Sequence, residues 1–398
     1  MSTTDVAPAV RALSRALLPE AEQLAVAMAA RIRAEVAFYA DETLVSAEAL
    51  DASCCDNVRY VLGNLADQPV VQNEVPRATG NLRAESGVPY DSVLQAYRIG
   101  GRYIWELLVD RADDDARDTL LRAAADIWTV TDELSAQVTD AYRATLADRV
   151  RRDGQVRAAL LSTLFDSPAT DVDQLRQSAS SLRLPQQGDL VVVSAECPAP
   201  GTEALAAIEE TLRRGDVTTA WRLDIDHHDG IVVIRPRYRI DALLGDLTTA
   251  AAGRVGVSPV FGRIDEAHRA LRQARLACAA GSPGQVDVCR YEDRPSATLL
   301  AAEPDLAQDV MRRTLGQILD LPPADRDTLL GTARIWFEAA GSTGEAATRL
   351  HLHRNSVRYR LRRLEELSGL DLGAPIDLAA LHLALEAARI FELGQPDS

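Results

Sequence analysis

The sequence has no lysine, so all 43 of its basic residues are arginine, a bias of composition to which no mechanism attaches. No apolar run approaches the roughly eighteen residues that a bilayer crossing needs. No basic-then-apolar leader follows Met1, so the expectation is a cytoplasmic protein with no membrane partner. Histidine is absent before His227, which removes the usual proximal haem ligand from the first half of the chain. Cysteine is sparse: Cys54 and Cys55 are adjacent, Cys197, Cys278 and Cys289 are scattered, and none forms a CxxC pair or a zinc-ligand spacing. They read as reduced, structural thiols, since neighbours such as Cys54 and Cys55 point in different directions on a helix. There is no Walker loop, GxSxG elbow, HExxH motif, internal repeat or low-complexity stretch. No enzyme activity, cofactor or metal is therefore expected.

What is present is an ordinary globular composition, 398 residues with 47% hydrophobic and 26% charged, long enough for two or three domains. Residues 1–152 read as an all-α bundle of five or six helices. Leu24, Met28, Ile32 and Val36 repeat at helical spacing, as do Val93, Tyr97 and Ile104. Turn signals fall at Asp67–Pro69, Gly87–Pro89 and Asp113–Asp115. Arg98, Arg102, Tyr103 and Trp105 cluster on one helix and form a candidate anion or small-molecule site, although aromatic residues at this spacing more often belong to a core. Thr131–Phe165 predicts one long helix through Leu134, Val138, Tyr142, Leu146 and Val150, broken at Ser167–Thr170. Its end falls in a connector, 153–170.

Residues 171–295 alternate strands and helices and predict an α/β sandwich on one mixed sheet. The expected elements are a strand DLVVVSAE, a helix Thr202–Arg214, a hairpin of Val217–Leu223 with Gly230–Arg235, a helix Tyr238–Ala252, a strand Arg254–Ser258, a helix Asp265–Ala280 and a strand Val286–Tyr291. Asp224, Asp226, His227, His228 and Asp229 have ligand-type side chains. Neighbours on one strand face opposite sides, however, so they read as a polar hairpin tip. A connecting helical region, 296–322, leads to 323–398.

The densest information lies at Ser342–Leu372, which reads as a helix-turn-helix. Gly341 suits the end of the preceding helix, and Ser342 with Glu345 predicts a capping box. A second helix, Arg354–Leu367, buries Val357, Leu361, Leu364 and Leu367 and turns two rows outward: Arg354, Arg358 and Arg362, with Asn355, Tyr359 and Arg363 beside them. No acidic residue interrupts Arg349–Arg363. Arginine forks suit phosphate and guanine, and asparagine suits adenine, so this face is expected to meet double-stranded DNA. Helix Ala324–Ala340 should bury Leu329, Ala333, Trp336, Phe337 and Ala340. A terminal helix, Asp377–Phe391, should close the same core with Leu378, Leu381, Leu385 and Ala388.

HLHRNSVRYRLRRLEELSGLDL resembles the C-terminal, Fis-like helix-turn-helix of the PucR/CdaR regulators, whose pattern is close to HxHRNTVRYRLxRIEELTGLDL; Ser356 and Leu364 are conservative departures. The resemblance places Arg354, Asn355, Ser356, Arg358 and Tyr359 on the recognition helix. RVGVSPVFGRIDEAHRALRQARLACAA resembles the end of a GGDEF-like domain. The matching hairpin, DIDHHDGIVVI, lacks the paired glycines and the acid-Glu-Phe run, which implies no cyclase activity. ESGVPYDSVLQAYRIGGRYIWELL resembles the N-terminal helical domain of RsbR-like stress regulators, implying a signal-input or dimerisation module. Together these imply a sequence-specific transcriptional regulator that answers a small-molecule effector. One motif presents one recognition helix, so paired half-sites predict a homo-oligomer. The rival readings are a stress-signalling scaffold without DNA binding and a nucleotide-metabolising enzyme.

Overall fold

Apolar residues at helical spacing make the first region a set of helices. The computed structural model describes residues 8–68, 74–113, 120–121, 124–166 and 171–391. It divides into two compact units, Met1–Gly154 and Gln155–Ser398.

The first unit is all-α: α1 (Pro8–Leu17), α2 (Ala21–Glu35), α3 (Ala37–Ala40), α4 (Ala47–Leu65), α5 (Val75–Glu85), α6 (Tyr90–Arg111) and α7 (Ala124–Asp166). The apolar stripe of α2, Leu24, Met28, Ile32 and Val36, is buried among Val93 and Ile104 of α6 and Leu134, Val138 and Tyr142 of α7. The Tyr142 hydroxyl donates to Val88 O at 2.7 Å, pinning α7 to the turn before α6. Asp67 (φ 53°) and Gly87 (φ 74°) sit in left-handed turns. Pro69, Asp114, Asp115 and Ser167–Thr170 lie outside the described residues. The expected long helix forms, but Leu146 and Val150 are 38% and 72% exposed, so its buried stripe stops at Tyr142.

In the second unit the end of α7 returns to a core, with Leu161, Leu164 and Phe165 buried. Six strands form one sheet: β1 (Gln187–Glu196), β2 (Thr219–Leu223), β3 (His227–Val233), β4 (Arg254–Val257), β5 (Phe261–Arg263) and β6 (Asp287–Arg290). The order is β2-β3-β1-β4-β6, with β5 also on β1. Only β4 and β6 run parallel. Strand alternation gives the sheet two apolar faces. Leu190, Val192, Ala220, Ile231 and Val233 meet α8 (Val172–Ser181), α11 (Ala267–Ala279) and the end of α7. Val191, Val193, Trp221 and Val232 meet α9 (Ile208–Arg214) and α10 (Ile240–Ala250). A Cβ on Gly256 would collide with Ala274 O and Cys278 N, so glycine is what lets α11 lie directly on β4.

Several boundaries differ from the sequence reading. The helix expected from Thr202 starts only at Ile208, because Leu205 is bridged to Ala251 and Ala207 takes a left-handed conformation (φ 51°). Helix α10 is trimmed to Ile240–Ala250. The hairpin tip is shorter than expected, which puts His227, His228 and Asp229 inside β3. Helix α8 and strand β5 were not foreseen. The signal for α8 was Asp171, whose Oδ1 accepts from both Asp173 N and Gln174 N at 3.1 Å.

The C-terminal helices are α12 (Pro295–Ala302), α13 (Pro304–Leu315), α14 (Pro323–Glu338), α15 (Thr343–Arg349), α16 (Arg354–Ser368) and α17 (Pro375–Ile390). Proline opens four of them, where its missing N–H costs no helical bond. They build two cores. A small one holds Ala339, Ala346, Ala347, Val357 and Leu361. A larger one joins Leu300, Met311, Leu315 and Ile318 to Leu330, Leu364, Leu381 and Leu385. The terminal helix therefore closes the second core and not the first. Trp336 and Phe337 are half-buried, and Ala340, expected inside, is exposed in a left-handed turn (φ 50°). Arg389 donates to Ala280 O at 3.0 Å and to Ser282 Oγ at 3.3 Å, fastening α17 to the end of α11.

Candidate nucleic-acid interface

The motif is held by local bonds. Gly341 is left-handed (φ 79°), and its carbonyl accepts from Trp336 Nε1 at 2.7 Å. Ser342 Oγ accepts from Glu345 N at 3.3 Å, which is the first half of the expected capping box. The second half does not form: Glu345 Oε1 takes Arg349 Nη2 at 2.8 Å, and Ser342 N bonds to Ala339 O. Arg349, counted in the basic stretch, is thus neutralised within its own helix. The small Ala346 and Ala347 are buried at the crossing of α15 and α16. The turn runs through His351 (φ 54°) to His353, whose Nδ1 accepts from Asn355 N at 3.2 Å and caps α16. Sequence reading missed this cap, since histidine is not among the usual N-cap residues. Gly369 (φ 73°) ends α16.

Helical period then fixes which side chains face outward. Val357 and Leu364 are fully buried and Leu361 nearly so, while Arg354, Asn355, Arg358, Tyr359, Arg362 and Arg363 are all exposed; Ser356 is half-buried. Tyr359 is 71% exposed, far more than an aromatic ring gains by serving a core. Arg354 Nε donates to Thr343 Oγ1 at 3.3 Å, linking the start of the helix to α15. Among the described residues, no carboxylate pairs with Arg354, Arg358, Arg362 or Arg363. Arg360 turns inward, donating to Thr332 Oγ1 at 3.2 Å, so it is a support and not part of the face.

The structure places the second candidate group differently. Arg98 is exposed, and Arg102 pairs with Glu35 at 2.7 Å on the outside of the bundle. Glu35 and Glu106 also accept from Arg31, whose hydrogen bonds hold both carboxyls below the usual range. Tyr103 and Trp105 are half-buried against the core. None of the four lines the bundle's cavity, which opens on the other face of α6. Periodicity marks a face of a helix but not which neighbour covers it.

In the middle region Asp229 is fully buried. Its Oδ1 accepts from Ser194 Oγ at 2.7 Å, and its Oδ2 from Arg275 Nη2 at 2.7 Å and Arg222 Nη2 at 3.4 Å. Arg222 continues to Asp166 at 3.1 Å and lies over the Phe165 ring, 4.9 Å from its centroid. This carboxylate is consumed by the fold. Among the described residues no group of three or more His, Cys, Asp or Glu side chains converges as a metal site. Nor is any described helix long and apolar enough to cross a membrane.

Three family models match the chain: the RsbT co-antagonist protein rsbRD N-terminal domain over residues 22–157, a GGDEF-like domain over 166–280, and the PucR C-terminal helix-turn-helix domain over 329–387. An uncharacterized protein from the pkwA 5′ region of Thermomonospora curvata is 36% identical over 28% of this chain and 61% of its own length. The purine catabolism regulatory protein of Bacillus subtilis is 30% identical over 34% of this chain and 26% of its own length. The transcriptional activator PmfR of Paenarthrobacter nicotinovorans is 28% identical over 34% and 28%. The chain thus spans about a quarter to three-fifths of the relatives' lengths.

Proposed function

From a chain that belongs with the PucR/CdaR-type regulators by its RsbRD-type, GGDEF-like and PucR-type helix-turn-helix domains, we propose a sequence-specific DNA-binding transcriptional regulator. The observation that carries this reading is the outer face of α16, where arginines without acidic partners flank an exposed asparagine and tyrosine. A guanidinium with no carboxylate keeps its full charge for phosphate or for the guanine edge. A solvated surface helix would instead alternate charge at four-residue spacing.

In this reading Asn355 and Arg358 reach base edges, with Arg354, Arg362, Arg363 and Tyr359 on the backbone. Ser356, half-buried, sets how closely the helix start approaches the groove. One recognition helix per chain calls for a homo-oligomer on paired half-sites about one helical turn apart. The helical domain supplies signal input, and the GGDEF-like domain transmits it without catalysis. Its hairpin carboxylate Asp229 is already committed to Arg222, Arg275 and Ser194, which supports a structural and not a catalytic role.

The test is binding of the full chain to DNA upstream of its own gene across a salt series, beside Arg358→Ala. Selective binding that falls steeply with salt is expected. Loss of a base contact in the variant should cost about 1–3 kcal/mol and relax selectivity, whereas loss of a phosphate contact should lower the salt slope by about one. Absence of selective binding at every salt concentration, with and without candidate effectors, would sink the reading in favour of a protein-binding scaffold.

A further inference from the structure

The N-terminal bundle holds a partly open cavity of about 50 Å³. By the measure in which one water needs about 10–15 Å³, it has room for three or four waters or for a ligand of about four to six heavy atoms. One end is apolar, walled by Met28, Val93, Ile104 and Leu134. The other end carries Arg83, Ser53, Asn57 and Tyr97.

Arg83 is the unusual member, only 3% exposed. Its Nη2 donates to Ser53 Oγ at 2.9 Å, and its guanidinium lies 5.9 Å from the centroid of the Tyr39 ring. Among the described residues no carboxylate pairs with it. Asp51, on the neighbouring turn of α4, is taken by Arg33 at 3.0 Å. The ionisable groups around the guanidinium cannot serve as counter-ions at neutral pH. Burial pushes the Cys54 thiol up to about 12 and raises the Tyr39 and Tyr97 hydroxyls. The remaining polar groups are committed to one another: Tyr97 OH donates to Asn57 Oδ1 at 3.2 Å, and Asn57 Nδ2 to Ser53 O at 2.8 Å. A full positive charge in an apolar bundle is strongly unfavourable unless an anion meets it. The fork of a guanidinium is shaped for a carboxylate.

We infer that this cavity binds a short-chain monocarboxylate, its carboxylate on the Arg83 fork beside Ser53 and its chain of two to four carbons against Met28, Ile104 and Leu134. The apolar end selects an organic acid over an inorganic anion, and the volume fits a short chain best. Gly100 and Gly101 of α6 form part of the wall. A Cβ on Gly100 would stand 3.4 Å from Met28 Sδ, narrowing the space without displacing backbone. The binding site rests on the bundle alone; only its role as the effector site of the regulator rests on the function proposed above.

The experiment is thermal melting of the full chain, without DNA, at pH 7 and fixed ionic strength in acetate, propionate, butyrate, hexanoate or phosphate, against chloride. Propionate and butyrate should raise Tm by a few degrees, with hexanoate and phosphate no better than chloride. Arg83→Met should abolish the rise. It should also melt no lower than the unmodified chain in chloride, because it removes an uncompensated charge, an outcome a purely structural arginine would not give. Gly100→Ala, which keeps Arg83, should lose the butyrate response before the acetate response. The inference is overturned if no carboxylate exceeds chloride, if phosphate does as well as propionate, or if the rise survives in Arg83→Met. Should Arg83→Met fail to fold, an unchanged chain-length response in Gly100→Ala overturns it. Because no DNA is present, failure here leaves the regulator reading standing, and failure of DNA binding leaves this result standing.

Discussion

Asp229 and Arg358 sit at opposite ends of what a single residue can be asked to do. Asp229 receives two guanidinium groups and a hydroxyl in full burial, so Asp229→Ala removes the one buried anion between Arg222 and Arg275 and leaves them only the exposed carboxylates of Asp166 at 3.1 Å and Asp224 at 3.6 Å. Breaking a buried ion pair from one side costs about 3–5 kcal/mol. The variant is expected to melt several degrees lower, and a loss below about 1 kcal/mol in denaturant unfolding would mean that water already screens the cluster. Neither Asp229 nor Arg83 was legible in the sequence, since inward direction on a strand or a helix depends on register and on partners far along the chain. Arg358 was legible, because three buried leucine and valine positions on the same helix fix its outward direction by period alone. Arg102 shows the converse failure: its helix face was readable, but Glu35, which covers it, lies 67 residues away.

Elements ended where the sequence placed them wherever the ends are set by neighbouring residues. Helix α15 begins at Thr343 and α16 at Arg354, as read, because caps and a left-handed glycine act within four residues. The helix expected from Thr202 failed because Leu205 answers to Ala251, a contact between distant segments. Helix α8 forms without a sequence expectation for a different reason: of VDQLRQSASS it buries only Leu175, Ser178 and Ala179, too little apolar surface for its period to stand out. Since the capping box of α15 is only half formed, its start rests on one hydroxyl. Ser342→Ala should therefore cost about 1 kcal/mol. Because α15 buttresses α16 through Ala346 and Ala347, DNA binding should weaken together with the lowered melting temperature. Unchanged stability would show that the preceding Gly341 turn alone sets the helix start.

Over the whole molecule the formal charge is −16, yet the proposed reading face carries no acid. Under the proposed function, an acidic bulk would repel DNA everywhere except at that face and so suppress binding to random sequence. The compact unit Gln155–Ser398, prepared by itself, is expected to bind random DNA more tightly than the full chain at equal salt. Equal affinities would remove charge repulsion from the account. The overall class, helical then α/β then helical, was legible because it follows from periods of 3.6 and 2 repeated over many residues. The way the C-terminal helices share their cores was not. Leu364, on the same helix as the exposed arginines, is buried with Met311, Leu315 and Ile318 from the helices before Leu321, and α17 is bonded back to Ala280 and Ser282. For anyone building chimaeras, this makes a junction in the Leu321–Pro323 segment a poor one. A graft cut there would leave its own floor behind and expose a raw apolar socket, whereas a junction near Gln155, where the compact unit begins, would carry the helix-turn-helix together with the residues it stands on and keep β6 on β4.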